Sequence, residues 1–197
     1  MAGRDDTHRL GWLGVGRMGM EMGRRLLDGG CDLAVFNRSM GKAEPLIRLG
    51  AKPAGSAAEL AARDIVFITV GSSDDLLSAV LGPDGLMSAP GAAPRVLVDC
   101  STVSAEASAR VRAEIAGRGT ALLAAPVMGN PKVVRAGKMT AAVSGPRDTD
   151  QANFAKWLSG AKQVVVSAET QEGATSPGPL VLEGDIASGD AAATGTP

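Results

Sequence analysis

Short apolar runs alternate with longer amphipathic stretches along most of this chain, and that alternation predicts strands and helices in turn. Residues 9–15 read as a strand, 17–28 as a helix closed by Gly29 and Gly30, and 33–36 as a second strand. A short helix is expected over 41–49, with Pro45 near its start. The run DIVFITV, residues 64–70, is almost continuously apolar, as a strand covered on both faces must be. A helix over 74–81, a strand over 95–99 and a helix over 104–117 follow, the last with Ser104 as its N-cap. Glu106/Arg110 and Arg110/Glu114 are spaced i,i+4 and mark that helix's solvated face. Later strands are expected at 122–123, 140–144 and 164–166. Short buried strands alternating with helices make an α/β fold, a doubly wound, mainly parallel sheet over residues 9–166.

The pattern fades near residue 167. Residues 168–197 contain no Lys, Arg or aromatic residue, and Leu180-Val181-Leu182 is their one apolar cluster. Such a composition buries too little apolar surface to offset its ordering entropy, so 167–197 is expected to be a disordered C-terminal tail. Residues 1–8 are expected to be a flexible N-terminus. At 197 residues the chain has room for one α/β domain plus a remnant, and 45% apolar residues suffice for a core. Aromatics are 3% and Tyr is absent, which argues against a base-stacking platform. The net charge is −1 with no basic patch, so neither nucleic acid nor membrane is an expected partner. No apolar run reaches the roughly 18 residues of a membrane span. Asp5 and Asp6 do not suit a signal peptide, and a cytoplasmic location is expected. With His8 as the sole histidine, and Cys31 and Cys100 far apart, a zinc site or a Ser-His-Asp triad lacks its residues. Both cysteines read as buried packing residues.

Against that background one motif changes the picture. Gly14-Val15-Gly16-Arg17-Met18-Gly19 is a GxGxxG sequence that follows a predicted strand and opens a predicted helix, the context of a Rossmann-type dinucleotide site. Gly14 permits the tight turn, Gly16 lets backbone approach a pyrophosphate, and Gly19 allows close helix–strand packing. The N–H groups at the helix start face the phosphates. Binders of NAD usually place an acid at the end of the second strand, about 20 residues on. Here that strand ends Phe36-Asn37-Arg38-Ser39, without one. Arg38 offers a guanidinium fork to a ribose 2′-phosphate, and Asn37 and Ser39 can donate to the same group. NADP is therefore expected, with NAD as the alternative. Val70, at the end of the third long strand, is placed in the same cofactor set.

The segment LGVGRMGMEMGRRLLDGG and the triplet Asn37-Arg38-Ser39 resemble the nucleotide loop of the β-hydroxyacid dehydrogenase family in its NADP-preferring form. That family includes the 3-hydroxyisobutyrate and 6-phosphogluconate dehydrogenases. Asp99-Cys100-Ser101-Thr102 is similar to the family's DxST block, which implies that Ser101 contacts a substrate carboxylate and Thr102 lies against the nicotinamide. Ala125-Pro126-Val127-Met128-Gly129-Asn130 resembles the APVSGG turn, which implies substrate contacts from Met128, Gly129 and Asn130. Gly129 matches; Met128 and Asn130 stand where the family has Ser and Gly. The resemblance covers residues 9–166. It implies an oxidoreductase that passes hydride between the nicotinamide and a small hydroxy acid or semialdehyde, its substrate a small-molecule carboxylate.

In the family a helical C-terminal domain then supplies a catalytic lysine and a substrate-binding asparagine. This chain has no lysine after Lys162 and no asparagine after Asn153. The sequence thus predicts a truncated, catalytically impaired oxidoreductase with no catalytic residue of its own to assign. The alternative is a non-catalytic NADP(H)-binding module, and self-association into a homo-oligomer is left open. S-adenosylmethionine, another ligand of such folds, is disfavoured by Arg38.

Overall fold

The apolar runs become the strands of two sheets in a computed structural model that describes residues 8–143 and the strands at 163–167 and 180–185. The larger sheet holds six parallel strands in the order β3-β2-β1-β4-β5-β6: β1 Arg9–Leu13, β2 Asp32–Phe36, β3 Lys52–Pro53, β4 Ile65–Ile68, β5 Val96–Asp99 and β6 Ala121–Ala124. Helices α1 Arg17–Asp28, α2 Glu44–Arg48, α3 Ser73–Leu81 and α4 Ala105–Ala116 supply or punctuate the crossovers between strands. The order doubles back between β1 and β4, and ligands of open parallel sheets lie in the crevice at the carboxyl ends of such neighbouring strands.

Each helix buries the stripe its sequence dictates. On α1, Gly19, Met22, Gly23 and Leu26 face the sheet. Its C-terminus closes through Gly30, at φ +78°, with Gly30 N–H bonded to Leu27 O at 2.8 Å and Cys31 N–H to Leu26 O at 3.0 Å. On α4 the buried positions are Ala107, Val111 and Ile115, and Ser104 Oγ accepts from Ala107 N–H at 3.2 Å as its N-cap. Glu106, Arg110 and Glu114 are exposed, as their spacing predicts. All four residues of β4 are buried, with Phe67 packed toward α1 and Ile68 toward α3 and α4.

Several elements differ from expectation. The strands β1 and β4 end at Leu13 and Ile68, because the residues beyond turn away to build the crevice. The helix expected over 41–49 divides into a 3₁₀ turn, Met40–Lys42, and α2, whose second residue is Pro45. Cys100 is buried as expected, whereas Cys31, at the turn after α1, is half-buried.

The second sheet has the order β10-β9-β8-β7, with β7 Val127–Met128, β8 Thr140–Val143, β9 Gln163–Ser167 and β10 Leu180–Asp185. Helix α5, Pro131–Arg135, lies between β7 and β8. The strand β10 falls within the segment that composition marks as a disordered tail. It contains the tail's apolar cluster and pairs antiparallel with β9, which satisfies the backbone groups that composition alone left unpartnered. The rest of 168–197, like residues 1–7 and 144–162, lies outside the described residues.

Candidate dinucleotide-binding site

Gly14 leaves β1 at φ +91°, and a Cβ there would sit 2.1 Å from Thr69 O. Only glycine fits both constraints. Gly14 N–H bonds Phe36 O at 3.0 Å, tying the ends of β1 and β2 together. Trp12, buried and stacked on Phe67 with centroids 5.2 Å apart, donates Nε1–H to Gly14 O and Thr69 Oγ1, each at 3.1 Å. Thr69 Oγ1 also donates to Gly14 O. A Cβ at Gly19 would meet Gly14 O and Thr69 Oγ1 at 2.6 Å, so α1 starts hard against the loop. At Gly16, by contrast, nothing lies within 4 Å of a built Cβ, and that open space is the crevice. Gly16 gives α1 no side-chain cap, so the first N–H groups of the helix are left for a ligand.

The crevice has a volume of about 550 Å³. Its floor is Gly14, Val15 and Gly16, and one wall is Arg38, Ser39 and Lys42. Val70 and Gly71 border it at the end of β4. Arg38 and Lys42 are exposed and make no ion pair among the described residues. Two cations facing an open crevice, with no acid at the end of β2, suit a phosphate on the adenosine ribose.

Asn37 lines the crevice as well, and part of its amide is engaged by backbone. Its Oδ1 accepts from Val15 N–H at 2.8 Å and its Nδ2 donates to Ser39 O at 2.9 Å. The side chain braces the glycine loop with its oxygen and one of its two amide N–H groups. Of the other expected residues, Arg17 and Met18 sit in the first turn of α1 and do not line the crevice.

The DxST block lies at the end of β5, one strand further along. Asp99 is buried, which pushes its carboxyl above its ordinary range, and its Oδ1 accepts from Ser101 N–H at 2.9 Å. Ser101 is also buried, and its Oγ accepts from Val70 N–H at 2.9 Å. Thr102 is exposed. The Ser101–Val70 bond links this block directly to the crevice edge. Met128, 56% exposed, ends β7, and Gly129, at φ +125°, begins the turn that follows it. Asn130 is committed to helix capping: its Oδ1 accepts from Lys132 N–H at 3.0 Å and Val133 N–H at 3.2 Å, opening α5. That helix is clamped to α1 by Arg135, whose Nε donates to Glu21 Oε2 at 3.1 Å and whose second nitrogen pairs with Glu21 Oε1. Arg135 in turn holds the Glu21 carboxyl below its ordinary range.

Sequence reasoning missed Lys42, Trp12 and Thr69. Lys42 stands four residues beyond Arg38, a spacing that would have pointed to it. Trp12 and Thr69 carried no signal, since their roles depend on β1 and β4 lying side by side.

A parallel sheet in this order, with a glycine-floored crevice at its strand reversal, defines a Rossmann-type dinucleotide-binding domain. Residues 9–161 match the model of the NAD binding domain of 6-phosphogluconate dehydrogenase, and the chain belongs to the β-hydroxyacid dehydrogenase family. It is 33% identical over 140 residues to 3-hydroxyisobutyrate dehydrogenase of Pseudomonas aeruginosa, covering 71% of this chain and 47% of that one. It is 32% identical over 142 residues to chloroplastic glyoxylate/succinic semialdehyde reductase 2 of Arabidopsis thaliana, covering 72% and 39%. Among solved structures, Psf3 in complex with NADP+ and 2-OPP matches with a TM-score of 0.72 at 29% identity, covering 81% of this chain and 57% of that one. The chain spans about half the length of the curated relatives it matches. Among the described residues, no helix is long and apolar enough to cross a membrane.

Proposed function

We propose that this chain holds NADP(H) in the glycine-floored crevice, as the cofactor half of an oxidoreductase acting on a small hydroxy acid or semialdehyde. The observation that carries the reading is the wall of Arg38, Ser39 and Lys42 facing open space over Gly16, with no acid at the end of β2. The backbone at Gly14–Gly16 and the first N–H groups of α1 cradle the pyrophosphate, while Arg38 and Lys42 take the 2′-phosphate. When bound, the cofactor supplies hydride exchange at C4 of its nicotinamide. Ser101 accepts from Val70 N–H and its hydroxyl also bonds the Asp99 carboxyl, so it meets a substrate carboxylate beside Thr102 and the Met128–Gly129 turn by exchanging that internal contact for the ligand. The relatives named for a 3-hydroxyisobutyrate dehydrogenase and a semialdehyde reductase support that substrate class.

Titration of nucleotide fluorescence tests the cofactor. NADPH should bind more tightly than NADH by about tenfold or more, as one charge-assisted contact implies. Arg38→Ala should erase most of that preference, and equal affinities in the unaltered protein would reject the assignment. The same residues bear on turnover. No residue of this chain matches the family's lysine, and a positioned acid–base group contributes about 10²–10⁴-fold. NADPH oxidation by these 197 residues with small semialdehydes should therefore fall below the roughly 1–10³ per second typical of enzymes. NADPH binding with no turnover at all would favour the non-catalytic binding module.

A further inference from the structure

Opposite Arg38 and Lys42, the crevice is walled by α3 and the turn that follows it. Asp75, Ser78 and Ala79 stand at i, i+3 and i+4 on one face of that helix, and Pro83 continues the wall. Ala57, Ala79 and Pro83 offer apolar contact to a flat ring. Within this wall, Asp75 is a half-buried carboxylate that forms no ion pair among the described residues. Its Oδ2 accepts from Ser72 Oγ–H at 2.9 Å, while Ser72 Oγ accepts from Asp75 N–H at 3.1 Å. This reciprocal pair fixes the carboxylate before any ligand arrives and leaves Oδ1 free to accept.

A fixed negative charge in a crevice built for a polyanion repels the phosphates unless it meets a donor on the ligand. The charge separation across the crevice decides which donor. The cationic wall draws the phosphorylated ribose, so the base is left against α3. The outward donor of that base is the exocyclic amine of adenine. We propose that Asp75 accepts a hydrogen bond from this amine and makes the site selective for adenine over a base bearing an oxo group there. The inference rests on the reading of the crevice as an NADP(H) site and adds base specificity to it.

The probe is NADPH against its hypoxanthine analogue, in which a carbonyl oxygen replaces the amine, titrated by fluorescence into the full chain. The unaltered protein should prefer NADPH by about tenfold, the size of one hydrogen bond to a charged group. In Asp75→Asn the amide can turn its N–H toward the oxo group, and the preference should shrink to within about twofold. Ser72 still caps backbone N–H 75 in that variant, and its thermal midpoint reports whether the fold is kept. Equal binding of the two nucleotides by the unaltered protein would overturn the proposal without touching the cofactor assignment, as would a full preference surviving in Asp75→Asn. Failure of NADPH itself to bind would remove both readings.

Discussion

At the scale of single residues, the two outer glycines of the loop and the one between them do different work. Gly14 and Gly19 have no room for a side chain, whereas Gly16 has nothing around it within the protein. Gly14→Ala forces both a clash with Thr69 O and an unfavourable positive φ, and should cost about 3 kcal/mol of stability, read from denaturant unfolding. Gly16→Ala should leave the unfolding midpoint within about 0.5 kcal/mol of the parent and yet weaken NADPH binding about tenfold or more, because its methyl enters the space of the pyrophosphate. A Gly16→Ala protein that binds NADPH normally would show that the nucleotide does not cross this loop. The GxGxxG spacing announced the three glycines. It did not announce that Trp12 and Thr69 hold Gly14 in place, which depends on two strands separated by over fifty residues in sequence.

At the scale of elements, ion pairs and caps fasten strand ends and short helices. Arg9, opening β1, donates to both carboxylate oxygens of Asp64, just before β4, and holds that carboxyl down at about 2. A carboxyl whose pKa is lowered on folding stabilises the protein fully above the unfolded value near 4, and the contribution drains away as the pH falls toward 2. Stability followed between pH 5 and pH 2 should decline in that window, and Asp64→Asn should flatten the slope; an unchanged slope would count against the pair. For α5, Asn130 satisfies two backbone N–H groups, so Asn130→Ala should cost about 1 kcal/mol, measurable by thermal unfolding. Against the sequence, α1, α3 and α4 stand within a residue of their expected bounds, because apolar spacing and flanking caps agree locally. The short pieces β3, β7 and α5 were not legible. Strands of two residues and a helix of five hold too little pattern, and exist because partners in the sheet or on α1 complete them.

At the scale of the whole molecule, the crevice belongs to the six-stranded sheet, while β10 belongs to the other one. Removal of residues 168–197 should accordingly leave NADPH affinity within about twofold, by the same fluorescence titration. A larger loss would mean that the second sheet supports the nucleotide site. The two sheets meet through Val127, Ala141 and Val143, whose side chains join the core that α1 covers, and through the clamp of Glu21 and Arg135. The turn expected to carry Met128, Gly129 and Asn130 toward substrate is therefore anchored to α1, the helix that opens at Gly16 on the crevice floor.

The sequence by itself determined the α/β class, the main helices, the glycine loop and Arg38, because each is written in residues close together: an apolar period, a cap, a turn that glycine alone can make. It also placed the chain among the β-hydroxyacid dehydrogenases through three motifs in order. The tertiary structure decided the rest. It used Asn37 to brace Val15, set Asn130 as a cap, and brought Arg38, Lys42 and Asp75 into the lining of one crevice. It also paired Leu180–Asp185 with β9. In each case the deciding contact joins segments that only the folded sheet brings together, and a side chain's hydrogen-bonding capacity is spent on the nearest group that needs it.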